Sequence, residues 1–219
     1  RLIVEEGRVR GVILSDGSAL TTRAVVSDVC ATNLYLEMIG EENLPGSVIK
    51  GLRSYKSSAS CAVGHLGLDY QPPVQAQYVI PLTYPHITDL FWSDLYAKNI
   101  AFPQSVGLVS INNFMDSTLA PEGQAALSFI SIAPRHPAGA SWPEIKWDYL
   151  DEAIDMLDAI YLPGIKDHIL FKTIATPEDF EKRLLIPNGS LHSYIMSPSS
   201  MMIFRPSNRS KCVKNLYLS

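Results

Sequence analysis

The opening stretch, RLIVEEGRVRGVILSDGSALTTRAVVSDV, places two turn signals, Glu6-Gly7 and Asp16-Gly17, between runs of β-branched and aliphatic residues. Glycine tolerates the positive φ that tight hairpin turns require, so this pattern favours antiparallel strands laid down in chain order. It predicts a three-stranded meander over Leu2–Glu5, Val9–Leu14 and Ala19–Val26. No repeat or low-complexity segment follows.

Two short helices come next, over Thr32–Ile39 with Gly40 as its stop and over Leu44–Tyr55. Ser57–Asp69 reads as a long strand rich in small residues, where Gly64 and Gly67 permit close packing. Prolines break Gln71–Pro85 into loop or interrupted strand. Asp89–Lys98 reads as a helix, and Val106–Asn112 and Ala125–Ile132 as strands joined through the turn APEG. After Pro143, the residues Trp147, Leu150, Ile154, Leu157 and Tyr161 recur at spacings of three and four, which puts them on one buried helix face. Asp148, Asp151, Glu152, Asp155 and Asp158 take the other face, and Pro163-Gly164 ends the helix. Ile165–Ala175 reads as a strand. TPEDFEKRL then starts a helix with Thr176 as cap, Pro177 in its first turn and Asp179 completing a capping box. Asn215–Leu218 reads as a buried strand. Hairpins outnumber βαβ units, so the expected class is α+β, with a mixed, mostly antiparallel sheet of five or more strands flanked by helices.

A chain of 219 residues is long enough for a proper core. It is 47% hydrophobic and only 18% charged, which suggests a surface partly covered by another domain, a partner or lipid; ordinary variation is the alternative. The net charge is −4 and there is no Lys/Arg run, which argues against a nucleic-acid partner. Cys30, Cys61 and Cys212 are widely spaced and odd in number, a pattern of buried thiols in a reducing compartment. Arg1 enters a strand directly and the other end also falls in a strand, so a piece of a longer protein is expected.

Motifs for self-contained chemistry are missing. The five histidines are scattered, none within five residues of another, and only His65 has a cysteine, Cys61, within that reach, so no metal site is expected. The acidic row of the long helix reads as a solvated face. There is no G-x-S-x-G elbow and no Gly-rich phosphate loop. The Ser190, His192 and Ser193 cluster is too close in sequence for a catalytic pair. Bulky, Pro-interrupted segments are more suggestive: YVIPLTYPHITDLFWSDLY, INNFM and YIMSPSSMMIF carry aromatic and methionine side chains suited to an apolar cavity, with plain core packing as the alternative. The candidate substrate-binding residues are Tyr78, Tyr84, Phe91, Trp92, Phe114, Met115, Met202, Phe204 and Arg205. The loops around 78–92, 111–115 and 194–204 are expected to border the cavity.

The order of these pieces resembles the phytoene desaturase-like flavoproteins of the FAD-dependent amine oxidase group. EEGRVRGVILSDGSALTTRAVVSDVCATNLYLEMIG is similar to that family's V-x-G-V-x-L-x-D-G and A-x-x-V-V-S-N-A-D-P patterns, and SSASCAVGHLGLD to the strand that follows. DSTLAPEGQAALSFISIAP resembles its D-P-S-x-A-P-x-G segment, TPEDFEKRLLIPNGSLHS its T-P-x-D-F and G-x-x-x-G, and RPSNRSKCVKNLYLS its R-P and N-L-Y-L-x-G. SDVCAT departs from S-N-A-D-P, and His192-Ser193 stands where a second Gly is common, which leaves the subfamily and its substrate open.

The resemblance implies an FAD-dependent oxidoreductase acting on an apolar polyene or isoprenoid-like substrate. The family's glycine fingerprint would lie upstream and its flavin-covering segment downstream. Residues 1–30 would be a β-meander stub of the FAD-binding domain, 31–205 the substrate-binding domain, and 206–219 a return strand toward the FAD-binding domain. Ser27, Asp28 and Ser219 match positions near the flavin, and Arg205-Pro206 a pair near the junction of flavin and substrate; Arg205 pairing with a carboxylate or with carbonyls is the alternative. No catalytic acid or base is implied. The partners would be an apolar small molecule and the FAD-binding domain of the same protein. The location would be cytoplasmic, with peripheral contact to a membrane as an option. The chain alone should hold FAD weakly, lack redox activity and self-associate through the meander. A flavin amine oxidase, a saturase or a non-catalytic binding domain are the other readings.

Overall fold

The computed structural model describes residues 1–74, 78–79, 96–103, 106–195, 197 and 205–219. They divide into two compact units, one of Arg1–Ser58 with Glu181–Ser219 and one of Ala59–Phe180. The class is α+β, as the turn and periodicity signals predict.

In the first unit, β1 (Leu2–Glu5), β2 (Arg8–Ile13) and β3 (Ala19–Thr21) form the antiparallel meander. Glu6 and Gly7 both take positive φ, 49° and 68°, the geometry of a tight hairpin. At the second turn the Asp16 carboxylate accepts from the Ser18 N–H at 2.9 Å and the Ser18 hydroxyl at 2.6 Å. The expected third strand does not run to Val26. It ends at Thr21, where the Thr22 hydroxyl donates to the Ala24 carbonyl at 2.9 Å and bends the backbone out of the ladder. The chain resumes as β4 (Val25–Ser27), which pairs in parallel with the strand over Leu216–Leu218. The first helix starts as α over Ala31–Asn33 and widens to a π-helix over Leu34–Gly40, stopped by Gly40 at φ 92°. The second spans Gly46–Ser54, shorter at both ends than its pattern suggests. Val9, Leu34, Ile39, Leu52, Tyr194, Val213 and Leu216 form this unit's core.

The second unit is built on β5 (Cys61–Leu68), β6 (Tyr78–Val79), β7 (Val106–Ile111), β8 (Ala125–Ile132) and β9 (Ile169–Ala175). Their order is β6-β7-β8-β5-β9 and every pairing is antiparallel. The remaining strand, β10 (Leu216–Leu218), is the partner of β4 in the first unit. Residues 165–168, expected as strand, form a 3-10 turn after Gly164 at φ 86°; β9 starts at Ile169. Of the helix expected over 89–98, only Tyr96–Lys98 falls within the described residues. The Pro177–Leu184 helix has its predicted cap: the Asp179 carboxylate accepts from the Thr176 N–H at 2.9 Å and the Thr176 hydroxyl at 2.8 Å.

The long helix, Trp142–Ile160, covers one face of the sheet. It begins one residue before Pro143, where Glu144 accepts from both the N–H and the hydroxyl of Ser141. Leu150, Ile154 and Leu157 are buried against Leu66, Leu68, Leu127 and Phe129 as expected, and Asp148, Asp151 and Asp155 are exposed. Tyr161 is partly buried on the same cluster. Trp147 is a correction, being 46% exposed. The buried face is centred near Leu150, Ala153 and Leu157 and takes in Trp142 and Tyr149; at 100° per residue Trp147 falls on its edge. The Lys146 ammonium lies 5.4 Å from the Trp147 ring centre.

Replacing Leu157 by Ala should therefore cost ~2–5 kcal/mol in a denaturant titration, through lost burial and the cavity left behind. The change Trp147→Ala should stay within ~1 kcal/mol. A reversed ranking would mean that the helix presents a different face to the sheet.

Candidate functional site

The first unit contains an open cleft of about 580 Å³. The carboxyl ends of β4 and β10 sit side by side at its edge: Leu218 pairs with Ser27, and the Ser219 N–H donates to the Ser27 carbonyl at 3.0 Å. Asn208 closes the end of β10, accepting from the Leu218 N–H at 2.7 Å through its carbonyl and donating its side-chain amide to the Leu218 carbonyl at 3.1 Å. Carboxyl ends of parallel strands are where ligands bind in open sheets. Asp28, His192, Arg205, Lys211 and Ser219 line the cleft, giving one carboxylate and two permanent cations at a polar rim.

Tyr194 forms part of the cleft wall and is buried. Its phenol oxygen accepts from the Thr32 N–H at 2.9 Å, shares a hydrogen with the Thr32 hydroxyl at 2.9 Å and takes a weak bond from the Cys30 thiol at 3.5 Å. Its ring stacks on Tyr55, centroids 4.5 Å apart. Burial, aided by the Cys30 contact, pushes the phenol well above the ordinary tyrosine range, so Tyr194 stays neutral at any working pH.

The structure thus brings Asp28, Ser219 and Arg205 to one cleft, with the buried Ser27 in the strand beside it. The cleft has the size and mixed rim to receive the edge of a flavin-sized molecule. Phe114 and Met115 follow β7 on a 3-10 turn and are 47% and 72% exposed. Asn113 between them and β7 is buried, donating its side-chain amide to the Gln124 carbonyl and accepting from the Ala126 N–H, both at 3.1 Å. Tyr84, Phe91, Trp92, Met202 and Phe204 lie outside the described residues, as do most of the loops 78–92 and 194–204; of Tyr78 only the strand position is described. Among the described residues no cluster of three metal-ligating side chains occurs, and no helix is long and apolar enough to cross a membrane.

Sequence reasoning took in Tyr194 only as the first residue of the 194–204 loop and did not single out Lys211. Tyr194 carries a weak signal, an aromatic beside a Gly-Ser turn, but its partners lie about 160 residues away in sequence.

No family model matches the chain. Among curated proteins, it is 29% identical over 223 residues to a phytoene desaturase (lycopene-forming) of Pseudescherichia vulneris, covering 99% of this chain and 44% of the relative. A phytoene desaturase of Paracoccus is 28% identical and covers 100% of the chain. The chain resembles phytoene desaturases along its whole length. It is also 30% identical over 218 residues to pyridine nucleotide-disulfide oxidoreductase domain-containing protein 2 of Rattus norvegicus, covering 92% of the chain and 37% of that protein. The chain spans about two fifths of the length of the curated relatives it matches. Two solved structures share the fold: an oxidoreductase from Methanosarcina mazei (TM-score 0.57, 14% identity, 100% of this chain and 42% of that one) and a reduced UDP-galactopyranose mutase (TM-score 0.51, 16% identity, 86% and 38%).

Two outcomes are expected. Tyr194→Phe should cost ~1–3 kcal/mol in a urea titration, since the Thr32 N–H loses its acceptor; an unchanged midpoint would contradict the hydrogen bonding described. Burial pushes the Cys61 thiol up to about 11. Its contribution to stability is intact below the unfolded thiol's value, ~8.5, and fades as the pH rises toward the folded value. Alkylation of Cys61 at mildly alkaline pH should be slow beside Cys212, and Cys61→Ala should flatten the alkaline loss of stability; fast Cys61 labelling in the folded chain would contradict its burial.

Proposed function

We propose that this chain is the substrate-binding part of an FAD-dependent oxidoreductase acting on an apolar, isoprenoid-like molecule. The observation that carries the reading is the similarity to phytoene desaturases over 99–100% of the chain. In this reading residues 31–205 form the substrate-binding domain, and 1–30 and 206–219 belong with the FAD-binding domain of the same protein. Support comes from the parallel β4–β10 pair. Parallel strands are normally covered on both faces, yet Val26 is 73% exposed and its partner Tyr217 is exposed beside it. That apolar strip suits packing by the rest of the protein, and self-association of the chain when it stands alone.

FAD would supply the hydride acceptor or donor. Asp28, Arg205, Lys211 and Ser219 would hold its polar edge, and the neutral Tyr194 with Thr32 and Cys30 would keep the cleft wall rigid. The pyrophosphate needs a Gly-rich turn at a helix N-terminus, and the 219 residues contain no such motif, so these contacts are peripheral. Most of the affinity for FAD would come from elsewhere in the protein. An apolar substrate dissolves in lipid, so a cytoplasmic protein touching a membrane surface fits this reading.

The test is to express the full-length gene product and the 219-residue chain side by side. The full-length protein should keep a flavin spectrum through gel filtration. The chain alone, given FAD, should show no sub-micromolar binding by calorimetry. A colourless full-length protein that stays colourless after FAD is added would defeat the proposal.

A further inference from the structure

The five-stranded sheet has a second face, turned away from the Trp142–Ile160 helix. Strand alternation and register assign its residues. Leu66, Leu68, Leu127 and Phe129 point to the helix, so His65 of β5, Ser128 of β8 and Ser110 of β7 share the opposite face, in register with one another. Around His65 on that face are Val63, Gly67, Ile130 and, directly paired on β9, Thr173, with the Phe171 ring lying where a side chain on Gly67 would be. The face positions of β5, β7, β8 and β9 carry no Asp, Glu, Lys or Arg; Lys172 pairs with Leu66 and so belongs to the helix side. Among the described residues, His65 is the one imidazole on this face, whose other polar members are Ser110, Ser128 and Thr173.

A hydrogen-bonded row crosses this surface. The Ser110 hydroxyl donates to Asn112 Oδ1 at 2.8 Å, Asn112 Nδ2 donates to Ser128 Oγ at 2.9 Å, and Ser128 Oγ lies 2.8 Å from His65 Nδ1. Ser128 accepts from the amide and so has its own hydrogen to give Nδ1; in the tautomer that takes it, the imidazole carries its proton on Nε2. Among the described residues no acceptor meets that Nε2–H. Covering the face with a pure hydrocarbon would strip water from this N–H and give nothing back, which is costly.

We propose that this face binds an apolar molecule bearing an oxygen acceptor, an isoprenoid ketone or alcohol, whose oxygen takes the hydrogen bond from His65 Nε2. Ser110, Asn112 and Ser128 are positioning residues that fix the ring and its tautomer. The inference rests on the reading of this chain as the substrate-binding part and narrows its substrate class.

The experiment uses farnesyl acetone, a ketone, and the hydrocarbon of the same skeleton without the oxygen, each titrated into the full chain in detergent micelles. Binding is read from the Val63 and Ile130 methyl signals and from the His65 ring nitrogens by NMR. The wild type should bind the ketone about tenfold more tightly, with the Nε2–H signal moving. His65→Phe should abolish the preference, and His65→Gln, which offers an amide N–H near the same place, should restore part of it. Ser128→Ala should shift the imidazole proton toward Nδ1 and reduce the preference. Equal affinities in the wild type, or a preference that survives His65→Phe, would overturn the proposal. If the hydrocarbon moves the Val63 and Ile130 signals as strongly as the ketone, the face still binds substrate but the oxygen requirement falls. If neither molecule moves them, the substrate-face reading falls as well.

Discussion

Gly64 has no side chain, and the Phe129 ring occupies the space one would need: a Cβ there would lie 2.3 Å from the ring. This contact lets β8 drop its largest side chain onto β5 while the two strands stay paired over their full length. Phe129 then becomes part of the layer on which Leu150, Ile154 and Leu157 rest. Period-two alternation sends Leu127 and Phe129 of β8 to the helix side and leaves Ala126, Ser128 and Ile130 on the other. The same alternation that builds the core thereby sets the mixed composition of the opposite face. A second close approach, the Phe171 ring over Gly67, occurs on that open face and adds to its apolar character.

The first unit depends on a different constraint, closure between segments far apart in sequence. Lys214 bridges to the meander, its N–H donating to the Gly7 carbonyl at 2.8 Å, and Asn215 takes positive φ to turn the chain into β10. The cleft exists because that return strand ends beside β4. Tyr194 ties the wall together from a third segment. None of these contacts is local, so the cleft's geometry is a tertiary product.

Local signals were legible where a local cause dominates. The Glu6-Gly7 turn, the Thr176–Asp179 cap, the glycines of β5 and the aliphatic stripe of the long helix all act within a few residues or one helical face. The reading failed where a short polar group competed with the ladder, as Thr22 does after β3, and where a stripe was drawn too wide, as with Trp147. Ser27, Asp28, Arg205 and Ser219 were legible only through resemblance; nothing in their spacing brings them together. The row from Ser110 to His65 was hidden because its members come from three segments. The alternation of AALSFISI, read with its face assignment, would have exposed Ser128 as a polar residue on a free surface.

The central claim is that this chain presents substrate to a flavin. It is tested most directly by anaerobic mixing of the flavin-loaded full-length protein with isoprenoids in vesicles, phytoene and an oxygenated analogue separately, while following the flavin's visible absorption. The account predicts bleaching of the oxidised flavin, or reoxidation of the reduced flavin by the corresponding unsaturated product, with at least one of them. A flavin that dithionite reduces readily but that no isoprenoid reduces, and whose reduced form no unsaturated product reoxidises, would contradict it.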